Sequence, residues 1–288
     1  MSDEHIKSIL RICSEYNIPI EYLPEIITDP KVIPMIRGIG FEFFVYEKLI
    51  SKLDNSRWRV EKPILNAQLN SHDVDVKVIY IKTNREITIE CKLAGGGTEN
   101  NYKKLADGTH KISVKCMRSR TLGSKMVKKM APIYRVSQKS LSIHADSYRA
   151  DSFDFVATSL GNAFYRTDPK TKIPIWNPTE EEKKFLLKLF QQGNEDLKKC
   201  VFDHLYFSRS TDLIPGNNNV VCSRRKCNNK HCGFIPNYPN IIFNNELTIK
   251  NKWVGIDEIE LHFEKFIKNE IYIIDNKPVV KEPLSLFN

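Results

Sequence analysis

The stretch Glu86–Gly97, EITIECKLAGGG, decides how this chain is read. Ile87 and Ile89 alternate with Glu86, Thr88 and Glu90, the period-two pattern of a strand with one buried face. Residues two apart on a strand face the same way, so Glu90 and Lys92 project together, opposite Ile89 and Cys91. Upstream, Val74–Ile81 alternates in the same manner, with Val74, Val76 and Val78 on one face and Asp73, Asp75 and Lys77 on the other. Thr83-Asn84-Arg85 supplies a polar connection, and the two strands are expected to pair as a hairpin. Asp75 then has matching parity with Glu90, and two carboxylates and a lysine converge at one end of the hairpin.

Such a set suits metal-assisted attack on a phosphodiester. Carboxylates hold a hard divalent cation, while an ammonium group orients the attacking hydroxide and offsets charge on the phosphorus. The plainer alternative is a surface ion pair between Glu90 and Lys92. Gly95-Gly96-Gly97 is not followed by Gly-Lys-Ser/Thr, which argues against a nucleoside triphosphate loop. The glycines read as a flexible exit from the strand that lets the backbone approach DNA closely.

Working outward, residues 37–53 place Phe41, Phe44, Val45, Leu49 and Leu53 at helical spacing, with Glu42 and Glu47 at other angles. Residues 57–60 predict a short strand, 124–131 a helix stopped by Pro132, and 153–159 a further strand. The stretch 179–192 predicts a helix opened by a Thr179/Glu182 capping box and followed by Gly193. A strand at 204–208 follows, and beyond 209 turn-forming residues dominate until about 241.

The chain carries 44 basic and 35 acidic residues over 288 positions. Between Gly108 and Ala145 there is no acid but nine bases: Lys111, Lys115, Arg118, Arg120, Lys125, Lys128, Lys129, Arg135 and Lys139. The remainder balances at 35 against 35, so the whole excess lies in one segment. Its position just after the Glu90/Lys92 strand favours a phosphate-binding surface, with Arg118, Arg120, Lys125, Lys128 and Lys129 as DNA contacts, over a merely solvated basic face. The segment lacks an aromatic apolar face, which disfavours membrane binding. The polar start, MSDEHIKSIL, and the absence of an apolar run of about 18 residues lead us to expect a cytoplasmic protein. Seven cysteines, an odd number, argue for reduced thiols with metal ligands among them rather than a disulfide framework.

Those ligands are sought in CSRRKCNNKHC, residues 222–232. Cys222, Cys227, Cys232 and His231 supply the sulfur and nitrogen donors of a tetrahedral Zn²⁺ site. Adjacent His231 and Cys232 bind one ion together only under strain, so Cys200, His204 or His262 stand as alternative fourth ligands, and a metal-free loop as the other outcome. Arg224, Arg225 and Lys226, with Asn228 and Asn229, lie in a stretch free of acids from Leu213 to Asn245. Arginine on guanine and asparagine on adenine are the usual major-groove readers, which makes this loop the candidate for sequence recognition.

Asp75, the Glu90-Cys91-Lys92 run at the end of an aliphatic strand, and a preceding helix with Gly40-Phe41-Glu42 together resemble the PD-(D/E)XK nuclease superfamily, in particular its type II restriction endonucleases. The resemblance covers roughly residues 37–95. It implies that Asp75 and Glu90 bind Mg²⁺ with the Cys91 carbonyl, that Lys92 assists the attacking water, and that Glu42 supports the site, with Glu47 as second choice. This chain departs from the pattern in having no proline before Asp75, and Asp73, with the same facing, remains an alternative ligand. The resemblance further implies a homodimer acting on double-stranded DNA and a companion DNA methyltransferase. The expected architecture is α/β: a central mixed β-sheet flanked by helices as a restriction-endonuclease-like core over residues 1–208, with a zinc-binding accessory DNA-recognition region over 209–288. Two other functions compete: a repair nuclease or junction resolvase with the same site, and a zinc-containing DNA-binding protein without catalysis.

Overall fold

The computed structural model describes residues 2–63, 74–95, 101–191, 196–216, 220–269, 273–274 and 277–278. Three helices open the chain: α1 (Asp3–Glu15), α2 (Leu23–Thr28) and α3 (Ile33–Lys52). Pro34 in the first turn of α3 costs no hydrogen bond, because that amide has no partner within the helix. Phe41, Val45 and Leu49, one turn apart, form the buried stripe that the spacing predicts, and the helix starts four residues earlier than expected.

Strands β1 (Trp58–Glu61), β2 (Val76–Tyr80) and β3 (Arg85–Cys91) follow. β2 and β3 form the expected antiparallel hairpin, with Val76 opposite Ile89 and Tyr80 opposite Arg85. Asn84 closes the turn at φ 56°, a left-handed conformation that asparagine tolerates better than most residues. The short strands β4 (Tyr102–Lys104) and β5 (His110–Ser113) come next, then helices α4 (Ser124–Ile133) and α5 (Gln138–Ile143). α4 runs two residues past its expected end. Pro132 falls in the last turn, and the Tyr134 amide closes that turn on the Met130 carbonyl at 2.9 Å.

Strand β6 (Phe155–Ser159) leads to a small hairpin of β7 (Tyr165–Thr167) and β8 (Pro174–Trp176), then to α6 (Glu180–Phe190), α7 (Leu197–Asp203) and β9 (Leu205–Arg209). The Thr179/Glu182 capping box of α6 is present, and the helix ends through Gln191 in the left-handed region; Gly193 lies outside the described residues. β10 (Asn240–Phe243), β11 (Trp253–Gly255), α8 (Ile259–Asn269) and the two-residue strands β12 (Ile273–Ile274) and β13 (Lys277–Pro278) complete the chain.

Six strands form a mixed central sheet in the order β1-β2-β3-β6-β9-β11, in which β3 and β6 run parallel and the other neighbours antiparallel. One face packs Val76, Val78, Ile87, Ile89, Phe155 and Phe207 beneath the apolar stripes of α3 and of α8, the latter led by Phe263 and Phe266. The other face packs Val156, Tyr206 and Trp253 against the small β10-β5-β4 sheet and against α6 and α7. Phe263 is fully buried, and its truncation to alanine is expected to cost about 3–5 kcal/mol. Val74 does not stay with Val76 and Val78 as alternation predicts. It packs against the opposite core, because the chain bends at Asp75 before β2 begins.

Residues after 209 contribute both the edge strand β11 and the helix α8 to these central layers. A third, smaller core joins α4, α5 and the Cys-rich loop: Val127, Ala131 and Leu141 pack with Cys232 and Phe234. No described helix is long and apolar enough to cross a membrane.

Candidate active site and candidate metal centre

The hairpin sets the first group of side chains. Continuing the β2–β3 register by one position places Asp75 opposite Glu90, and the Cys91 amide donates to Asp75 Oδ2 at 2.7 Å. Asp73, the alternative ligand, lies outside the described residues. Glu90 is 5% exposed. Lys92 lies just past the end of β3, its amide still bonded to the Ala157 carbonyl at 2.8 Å, and its Nζ sits 2.5 Å from Glu90 Oε1. Glu42, on the half-buried side of α3, accepts from Lys62 Nζ at 2.6 Å, whereas Glu47 is exposed. The structure thus brings Glu42, Asp75, Glu90 and Lys92 into one electrostatic group.

Burial and crowding act together on the carboxyl of Asp75. Burial first, then the charges of Glu90 and Glu42, push Asp75 up to about 8, against the opposing pull of Lys92 and the Cys91 amide. Burial works against the Lys92 ammonium, yet Glu90, Tyr148 and Asp75 together hold its pKa well above the ordinary lysine value. A carboxyl kept protonated by burial and by its acidic neighbours is relieved when a divalent cation enters, so the donor set fits a hard metal ion.

Tyr148, which the sequence did not single out, completes the group. Its hydroxyl donates to Glu90 Oε1 at 2.8 Å and accepts from Lys92 Nζ at 3.2 Å. Arg118, an expected DNA contact, lies 5.1 Å from the centre of the Tyr148 ring and donates to the Ser147 carbonyl, so the basic segment does reach this site. Gly95, at φ +98°, allows the strand exit to pass 3.3 Å from the backbone of Ala163, measured from where a Cβ would stand. Its close approach is therefore to protein, and the Gly95 amide bonds the Ser113 carbonyl at 2.7 Å. Gly96 and Gly97 lie outside the described residues.

The second group is a His/Cys cluster. His144, Cys222, Cys227 and Cys232 bring one ligand atom each within 4.8 Å of one another. This corrects the expected set: His231 is exposed, its ring against Gly216, while Cys232 beside it turns inward to 8% exposure. Consecutive side chains in the loop diverge, which is the strain foreseen for that pair. None of the three alternatives joins either. Cys200 and His204 contact each other beside α7, and His262 belongs to α8.

His144 follows α5 and is 1% exposed, stacked 4.3 Å from the Phe234 ring at an interplanar angle of 3°. Its Nδ1 lies 2.8 Å from the Ser140 carbonyl, which fixes Nδ1 as the protonated nitrogen and turns the Nε2 lone pair toward Cys222 Sγ at 3.4 Å. Burial also lowers the pKa of His144 and keeps the ring neutral, the form that ligates metals. Burial pushes the Cys232 thiol up to about 12, reinforced by Cys222 and Cys227, a cost that a soft divalent cation reverses. The cluster is consistent with a structural metal site.

Arg224 departs from its expected role. Its guanidinium is half-buried and pairs with Asp146, which also accepts from Asn237 at 3.0 Å, so it ties the loop to the protein instead of facing a base. Arg225 and Lys226 are exposed, as are Arg120, Lys125, Lys128 and Lys129. Lys226 and Asn228 share an open groove with Lys139, Ser142 and Ile143. No family model, no curated protein and no solved structure matches this chain.

Proposed function

We propose that the chain is a Mg²⁺-dependent endonuclease of the PD-(D/E)XK superfamily, of the type II restriction class, that hydrolyses phosphodiester bonds in both strands of duplex DNA at a short sequence. One observation carries this reading: Asp75, held by the Cys91 amide at 2.7 Å, Glu90 and Glu42 act on one another electrostatically, with Lys92 Nζ 2.5 Å from Glu90. A bound Mg²⁺ would polarise the phosphate and lower the pKa of an attacking water. Asp75 and Glu90 would hold the ion, with Glu42 supporting them from α3. Lys92 would orient the water and balance the charge that builds on phosphorus. The cation at the cluster would be Zn²⁺, by its three sulfurs and one nitrogen.

Arg118 would hold a DNA phosphate next to Tyr148, and exposed Lys125, Lys128, Arg225 and Lys226 would extend that contact along the duplex. A homodimer would match a two-fold symmetric DNA site. Exposed Leu10 on α1 and Tyr16 just after it, with Met35 and Ile39 on α3, offer apolar surface for such contact. A companion methyltransferase would protect host DNA.

A second reading, a zinc-organised DNA-binding protein without catalysis, is favoured by a different observation. Among the described residues the close grouping of metal-ligating atoms is the His/Cys cluster and not the carboxylates. Digestion of phage DNA with Mg²⁺ by wild type and Lys92→Ala separates these readings. Discrete fragments from wild type and none from the variant are expected; unspecific degradation favours a repair nuclease, and equal cutting by both proteins would sink the role of Lys92.

A further inference from the structure

We propose that Tyr148 is a positioning residue for the Glu90–Lys92 pair, and that the His/Cys cluster sets where Tyr148 stands; this rests on Glu90 and Lys92 forming a divalent-ion site. The Tyr148 hydroxyl, Lys92 Nζ and Glu90 Oε1 close a three-membered ring of contacts at 2.8, 3.2 and 2.5 Å. A phenol has one proton to give and lone pairs to accept. Here the proton goes to Glu90 and a lone pair to Lys92. Both donors converge on Oε1, while Oε2 carries no hydrogen bond among the described residues and is left as the oxygen for a cation. Without the hydroxyl, Glu90 loses one of the two contacts that hold its rotation, and Lys92 loses its second anchor.

The position of Tyr148 is set from outside the hairpin. Its ring packs edge-on against Phe153 at 5.2 Å. Its carbonyl accepts from the Ile235 amide at 2.8 Å, and the neighbouring Arg149 bridges Phe234. Four residues upstream is His144, a cluster ligand, and midway between them Asp146 pairs with Arg224 of the Cys-rich loop and accepts the Asn237 amide. The Asp146 carbonyl accepts from the Arg118 amide at 2.8 Å, and Ser147 bonds Asn237 at 2.8 Å. Residues 144–149 are thus a strap between the 117–118 and 233–237 segments. One end is a metal ligand and the other a side chain on the Glu90–Lys92 pair. A metal that draws His144 and the three cysteines together fixes that strap, and with it the tyrosine.

The test uses the full, zinc-replete chain. Mg²⁺ binding is measured by calorimetry on the protein alone for wild type, Tyr148→Phe, Cys227→Ser and the double variant, with zinc content and melting midpoint recorded for each. Tyr148→Phe is expected to keep its zinc and its melting midpoint and to bind Mg²⁺ roughly tenfold more weakly, the scale of one hydrogen bond to a charged group. Cys227→Ser is expected to weaken Mg²⁺ binding as well. The double variant should then be no weaker than Cys227→Ser alone, because both changes act through one strap. Unchanged Mg²⁺ affinity in Tyr148→Phe overturns the proposal, even where Cys227→Ser fails to fold, and fully additive losses overturn the link to the cluster. Cleavage of duplex DNA on the same preparations tells the two readings apart. A wild type that binds Mg²⁺ in a Tyr148-dependent way but cuts nothing defeats the nuclease and leaves the positioning role; cutting with Mg²⁺ affinity indifferent to Tyr148 defeats the positioning role alone. No Mg²⁺ binding by wild type defeats both.

Discussion

The oxygen-rich group around Glu90 and the sulfur-rich group around Cys232 face opposite electrostatic problems. Around Glu90, carboxylates crowd one another and Asp75 is driven up to about 8, while a lysine stands in among them. Around Cys232, three sulfurs and one imidazole nitrogen gather against a small apolar core, with the histidine already held in its ligating tautomer. The first group is polar, gathered by one hairpin and α3, and suits an ion that comes and goes with substrate. The second is gathered from two segments distant in sequence and packed on a small apolar core, and suits an ion that stays. On the proposed reading, the first group keeps its charge unbalanced in order to react, whereas the second holds shape.

The largest effect should follow from breaking the second group. Cys232→Ser is expected to lose its metal and to unfold the α4–α5 and loop region, since structural Zn²⁺ contributes about 10–16 kcal/mol of binding free energy in small zinc modules. Elemental analysis and a thermal scan would read this; wild type purified with far less than one zinc per chain would remove the distinction between the groups.

Next in size is the effect expected at the first group if the proposed cleavage is its function. Lys92→Ala should reduce DNA cleavage by at least about a hundredfold, the usual scale of a positioned proton-handling group, while zinc content stays at the wild-type level. A parallel loss of zinc would show that the two groups are not separable in this way.

A smaller effect is a pH dependence confined to the first group. Burial, with Glu90 and Glu42 beside it, raises the pKa of Asp75 in the folded protein to about 8 from the ordinary aspartate value of about 3.9, so its contribution to stability is fully present below about pH 4 and is lost as pH rises through about 8. Melting of the protein without Mg²⁺, its cluster metal left in place, should therefore drop over that window, and Asp75→Asn should flatten the drop. Mg²⁺ should bind more tightly as pH rises across the same range, with release of a proton, which calorimetry in two buffers of different ionisation enthalpy detects.

Smaller still, Arg225→Ala and Lys226→Ala should each lower the salt slope of DNA binding by about one unit if they contact phosphate, read by titration at several salt concentrations. Smallest of all is the effect of His231→Ala, which should leave zinc content unchanged, whereas His144→Ala should lose zinc as Cys232→Ser does. Loss in both would return His231 to the ligand set.

How much could be seen beforehand depended on how far apart in sequence the partners lie. Asp75, Glu90 and Lys92 fall within eighteen residues and on strands whose parity follows from apolar alternation, so their convergence followed from the pattern. The three cysteines were equally local. His144 lies 78 residues before Cys222, at the end of a six-residue helix that no periodicity marks, and its partner geometry exists only once Phe234 stacks on its ring. Arg224 looked available in an acid-free stretch, but its counter-charge, Asp146, sits 78 residues away. Tyr148 had no neighbouring motif to mark it, because its partners Glu90 and Lys92 are more than fifty residues upstream.

The amino-acid order settled the helices α3, α4 and α6 and the strands β1, β2, β3, β6 and β9, the hairpin that faces Asp75 toward Glu90 and Lys92, and the donor chemistry of each group, since these follow from side-chain period and from short-range spacing. Which histidine completes the cluster, which arginine is spent inside the protein, and which tyrosine bridges the carboxylate and the lysine were decided only when distant segments packed. Burial then made every polar group find its partner wherever in the chain that partner lay.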